Sequence, residues 1–213
     1  MPTSHRQGET VNRRDRRGAG LMERLGLRRR PWREVAHRLY GAIVDQARQP
    51  EFYSHAGVPD SIDGRFDLIV LHAFIVLRRL KGAGPDARAL GQELFDTMFA
   101  DMDRSLREMG VADLGVGRRI KDMVRAFYGR IAAYDAAIAE GDDAIAEALR
   151  RNLFGGTVPD ETDLSALVGY VRDATRAVGR GDIADLLAGK LRFGPPPGRV
   201  ATAPRPVAGP END

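Results

Sequence analysis

Apolar positions recur along this chain at helical spacing. Trp32, Val35, Ala36, Leu39, Tyr40, Ile43, Val44 and Ala47 fall at i, i+3, i+4 and i+7, which predicts an amphipathic helix stopped by Pro50. Residues 63–81 are apolar on nearly every side, from Phe66 through Leu71, Phe74 and Val76 to Leu80, so a central buried helix is expected there. Pro85 sits where a third helix starts. Leu90, Leu94, Phe95, Met98, Phe99, Met102, Leu106 and Met109 trace its apolar face, and Gly110 marks its stop. A fourth stripe runs from Val116 through Ile120, Val124, Phe127, Ile131 and Tyr134 to Ile138. Shorter helical patterns cover 142–154, 163–178 and 182–192.

No strand pattern appears. The chain therefore reads as all-α, a single irregular bundle of about seven helices around a buried central one. The helical domain is expected over 32–193. Residues 1–31 form a basic arm without apolar periodicity, expected to be disordered apart from a short amphipathic stretch at 21–30. Residues 194–213 carry six of the twelve prolines and read as a disordered tail.

Charge sharpens this division. The net charge is +3, yet residues 1–38 hold eleven arginines against Glu9, Asp15, Glu23 and Glu34. A basic arm on a mildly acidic body fits an anionic partner such as RNA or a lipid headgroup, and equally a solvated terminus. Its acids argue against a mitochondrial transit peptide. The absence of cysteine excludes disulfides, thiolate metal sites and a cysteine nucleophile. No apolar run approaches the ~18–20 residues of a membrane span.

Catalytic chemistry finds little support. His5, His37, His55 and His72 show no metal-ligand spacing, and no nucleophile–base set assembles from the serines and histidines. His72, on the most buried helix, reads either as a hydrogen-bonded core histidine or as a haem ligand. A calcium loop through Asp63–Gly64 fails because Val70 stands where the bidentate acid belongs. Asp60, Ser61 and Asp63 are instead candidate N-caps. Gly115–Lys121 lacks the glycines and preceding strand of a nucleotide cradle. No catalytic residue, metal or cofactor is assigned, and the chain is expected not to be an enzyme.

Two segments carry more polar and aromatic detail than folding alone requires. In Phe52–Asp67, the residues Asp60, Asp63, Arg65 and Asp67 are expected to form one polar network holding the loop to the central helix, partly facing a cleft. In Leu94–Val111, Met98, Phe99 and Met102 adjoin at helical spacing, with Asp96, Asp101, Asp103, Arg104 and Arg107 around them. An apolar groove lined by these methionines and rimmed by those charges would grip a variable helical client; ordinary core is the competing reading.

The stretches GVPDSIDGRFDLIVLHAFIVLRRLKG (57–82), LFDTMFADMDRSLREMGVADLGVGRRIKDM (94–123), FYGRIAAYDAAI (127–138) and ALRRNLF (148–154) resemble, in order, the motifs of the ubiquinol–cytochrome c chaperone family of mitochondria and α-proteobacteria. The similarity covers about residues 35–180. Ser61 stands where many members carry threonine, which keeps the hydroxyl. The resemblance implies a helical, non-enzymatic assembly factor for the cytochrome bc1 complex. It implies nascent cytochrome b as client, a small partner protein, and association with the ribosome. In a bacterium it implies a cytoplasmic protein peripheral to the inner membrane, with no DNA partner. Asp60, Asp63, Arg65, Asp67, Met98, Phe99, Asp101, Met102, Asp103 and Arg104 are the client-contact candidates. Two other readings stand beside it: a membrane- or RNA-binding module acting through the arm, and a haem-handling protein using His72.

Overall fold

The central helix, α3 (Ile62–Leu80), is buried almost without interruption from Phe66 to Val76. Its apolar residues surround the axis, so one partner helix is not enough to cover it. Five pack around it: α1 (Arg33–Ala47), α4 (Pro85–Glu108), α5 (Asp113–Glu140), α6 (Asp142–Leu153) and α7 (Glu161–Arg180). Two short helices complete the set, α2 (Glu51–Ser54) ahead of α3 and α8 (Ile183–Leu187) against α4. This computed structural model describes residues 32–154 and 159–198, and all regular structure among them is helical. The proposed short helix at 21–30 and most of the expected tail lie outside the described residues.

Local chemistry sets the boundaries. The Ser61 hydroxyl accepts a hydrogen bond from Gly64 N at 3.1 Å, capping α3 as its position suggests. Three residues on, Gly64 leaves no room for a side chain, because a Cβ there would overlap the Pro59 carbonyl oxygen. Pro85 opens α4 at its first turn. Gly141, at φ +117, closes α5 and opens α6 in one residue, a turn that only glycine makes without strain.

Four expectations need correction. The segment before α3 is not all loop, since Pro50 starts the short helix α2, whose Phe52 is buried. The last helix stops at Leu187 rather than 192, because the chain turns through Gly189 at φ +74. Residues 194–198, assigned to the tail by composition, lie against the body: Gly194 O accepts from Gln46 Nε2 at 3.0 Å, and Pro196 and Pro197 are buried. Most consequentially, Met98, Phe99 and Met102 line no groove. Their exposures are 1%, 8% and 8%, and they belong to the core that α4 forms with α1 and α5. The stripe that suggested an adaptable surface is the seam of α4, which is buried because helices lie on both its flanks.

Candidate functional site

The acids and bases at the start of α3 do not form one network. They separate into three ion pairs, two of which reach across to α5. Asp60 pairs with Arg65 at 2.7 Å on the surface, and this guanidinium holds the Asp60 carboxyl below its ordinary pKa. Asp63 pairs with Arg119 at 3.2 Å, also exposed. Asp67 alone is buried, with Arg130 Nη2 2.8 Å from its Oδ1. Loss of water pushes the Asp67 carboxyl up to about 6, against the pull of Arg130. The Arg130 guanidinium also lies 5.9 Å over the Phe66 ring, and its Nε donates to Asn152 O at 3.3 Å on α6. Beside this pair, Tyr134 is almost wholly buried and its hydroxyl has no hydrogen-bond partner among the described residues.

His72 is fully buried and held at both nitrogens. Nδ1 lies 2.7 Å from Leu68 O and Nε2 lies 2.7 Å from the Tyr170 hydroxyl. A carbonyl only accepts, so Nδ1 carries the proton and Nε2 accepts from Tyr170. The Tyr170 oxygen in turn accepts from Gln46 Nε2 at 3.0 Å, which also bonds Gly194 O. Every group in this chain has a partner of the right sense. Phe52 and Phe193 close the imidazole edge-on at 5.3 and 5.0 Å. Burial pushes the His72 pKa down to about 4, so the ring is neutral at physiological pH. A haem iron would have to displace Tyr170 from Nε2 and open this shell, so the haem reading finds no support in the geometry.

On the outer side of α4 the expected rim charges serve as local braces. Tyr40 donates to Asp101 Oδ2 at 2.9 Å, and Arg104 Nη2 donates to Asp101 Oδ1 at 2.7 Å. Arg107 bridges Asp103 and Asp113, tying the end of α4 to the start of α5. Asp101 and Arg104 line a cavity of about 280 Å³ together with Arg33, His37, Tyr40 and Thr97.

Apolar surface that is open to a partner lies elsewhere than the methionine stripe. Ile62, Met109 and Tyr128 are the large apolar side chains left more than half exposed among the described residues. The Tyr128 ring stacks on Phe95 at 5.7 Å, and Phe95 continues inward to Phe99 and Phe127. The result is an aromatic ladder that starts in the core and ends in solvent on the α4–α5 face. Sequence reasoning missed Tyr128 and Arg130. The signal for Tyr128 was the Phe127–Tyr128 pair, whose neighbours on a helix point 100° apart, so one ring enters the core and the other leaves it. For Arg130 it was a lone cation on an otherwise apolar stretch.

Among the described residues no helix is long and apolar enough to cross a membrane. Residues 54–193 match the model of a family described as ubiquinol-cytochrome C chaperone. A frog protein (Xenopus laevis), ubiquinol-cytochrome-c reductase complex assembly factor 1, is 29% identical over 72% of this chain and 76% of its own length. The mitochondrial protein CBP3 of baker's yeast (Saccharomyces cerevisiae) is 30% identical over 68% of this chain. The chain spans 44% of that yeast relative, and 55% of the mouse (Mus musculus) assembly factor 1. The crystal structure of the Cbp3 homolog from Brucella abortus superposes with a TM-score of 0.70 at 36% identity, covering 83% of this chain and 96% of that one.

Proposed function

The chain belongs to the ubiquinol-cytochrome C chaperone family, and from that premise we propose that it is an assembly chaperone for ubiquinol–cytochrome c reductase that holds newly made cytochrome b. The observation that carries this reading is the extent of the match. Residues 54–193 take in the central helix, every helix after it and the Phe193 ring that closes over His72. The relatives named for this assembly task thus share the folding body rather than one short motif.

The client face we propose is the aromatic ladder of Phe95 and Tyr128, flanked by the exposed charges of α3, α4 and α5. An apolar membrane segment leaving a ribosome needs apolar contact, and Tyr128 offers a large, rigid ring at low entropic cost. Asp63, paired with Arg119 of α5, and Asp103, paired with Arg107, are the exposed charges assigned to this face, whereas Arg104 turns to Asp101 and α1. Asp67, Met98, Phe99 and Met102 act from below, by fixing α4 and α5. The basic arm keeps the body beside an anionic surface.

The test is photo-crosslinking of newly synthesised cytochrome b to the wild-type chain and to the Phe95→Ser and Tyr128→Ser variants. Loss of crosslinks at an unchanged thermal melt supports the face. Full crosslinking by a doubly substituted, folded variant overturns it.

A further inference from the structure

We propose that the junction of α3 with α7 is a binding site for a phosphate-type oxyanion, separate from the aromatic face. The C-terminal turn of α3 brings Arg78, Arg79 and Lys81 to the wall of a cavity of about 220 Å³, closed on the other side by Thr175 and Gly179 of α7 and floored by Ile75. No acid lines it. Asp135 of α5 is shared between Arg78 and Lys81, so one negative charge answers two positive ones. Among the described residues Arg79 has no acidic partner; its Nη2 donates to the Gly181 carbonyl at 3.0 Å.

Two further groups at this wall are unsatisfied. Arg79 Nε and Thr175 Oγ1 are both buried without a hydrogen-bond partner among the described residues. Each has lost its hydration and gained no acceptor, a state that costs free energy unless something supplies one. Cations at a helix C-terminus ordinarily serve the macrodipole. That role accounts for the positive charge, but not for an orphaned guanidinium N–H and an orphaned hydroxyl on residues of the same cavity wall. An oxyanion offers what both lack: several acceptor oxygens and negative charge, with the flat guanidinium suited to two of those oxygens. The chemistry is that of a phosphate monoester or diester, whether a free phosphate or a phospholipid headgroup.

Calorimetric titration of the full-length protein with inorganic phosphate, against sodium chloride of equal ionic strength, tests this. Saturable binding is expected, weakened about tenfold by Arg79→Gln and less by the near-isosteric Thr175→Val. Flotation with phosphatidylcholine vesicles containing phosphatidylglycerol then distinguishes the source. A fall in flotation for Arg79→Gln assigns a lipid headgroup; unchanged flotation with weakened phosphate binding assigns a free phosphate. Thermal melts of both variants check folding, and Thr175→Val, which removes no charge, keeps the test decisive if Arg79→Gln unfolds. Binding that chloride reproduces, or that is equal in wild type and Thr175→Val, overturns the site.

Discussion

His72 and Asp67 lie on the same buried helix, five residues apart in sequence, and their proton affinities are displaced toward each other. Burial lowers the histidine to about 4 and raises the aspartate to about 6. Each displacement has a sign for stability. The unfolded chain takes up the histidine proton near 6.5, well before the folded chain does, so His72 stabilises above that pH and its contribution is lost as the pH falls toward 4. The folded chain takes up the Asp67 proton near 6, before the unfolded chain does, so Asp67 favours the fold below about 3.8 and that contribution is lost as the pH rises through 6.

Between about pH 4 and 6 the two protons cancel, and these groups together leave stability nearly flat. Asp67→Asn removes one of them. Urea denaturation of that variant is expected to show stability falling with acid across the same window, by up to about 1.4 kcal/mol per pH unit. A variant as flat as wild type would show that His72 is not held neutral by the fold.

Tyr170→Phe leaves His72 Nε2 and Gln46 Nε2 each short of a partner while keeping the ring contacts. A loss of about 1–3 kcal/mol is expected. The Gln46 amide is half outside and rehydrates, so the larger share falls on His72. Denaturant titration of Tyr170→Phe against Gln46→Ala separates the two.

Arg130→Met and Arg65→Ala remove cations from superficially similar pairs, and the outcomes should differ sharply. Arg65 is well exposed, so its loss is expected to leave the melt almost unchanged. Arg130 faces a buried carboxylate, and its loss is expected to cost about 3 kcal/mol or more near neutral pH. That cost shrinks below pH 6, where Asp67 takes up a proton and no longer needs a counter-charge. Melts at two pH values check the difference.

Gly64→Ala replaces glycine by the best helix former inside a helix, a change worth about 1 kcal/mol in favour of folding on propensity alone. The overlap of the new Cβ with the Pro59 carbonyl reverses the sign. Forced repacking of this kind costs about 1–3 kcal/mol, so a net loss is expected in a chemical melt.

Met98→Glu should unfold the protein or abolish its cooperative melt, since the carboxylate has no partner at a site with 1% exposure. Circular dichroism decides this directly. Tyr128→Ser, by contrast, should leave the melt within about 0.5 kcal/mol of wild type, as an exposed substitution does.

Helical periodicity makes most of this fold legible in the sequence. The all-round apolar run of α3 called for neighbours on every side, and five helices supply them. The Ser61 cap, the Pro85 start and the Gly110 and Gly141 stops follow from backbone chemistry that acts over three or four residues. What was not legible depends on contacts between distant segments. A stripe such as Met98, Phe99 and Met102 states which face is apolar, but not whether a helix covers it. In the same way Asp67 shows no sign in sequence that its partner is Arg130 on α5, or that Asp60 and Asp63 will turn to different bases. Pro195–Pro197 reads as a breaker of structure; the cover those prolines give the body is a tertiary matter.

The order in which the helices leave the ribosome has a consequence for the protein's own birth. α3 is made early, with apolar side chains around its whole circumference, yet the Tyr170 that completes its buried polar chain is synthesised ninety-eight residues after His72, and Phe193 later still. Through that interval the nascent polypeptide presents an incompletely covered apolar helix of the kind that invites mis-association. A protein proposed to shelter an unfinished membrane segment thus passes through a stage in which its own centre stands in the same need.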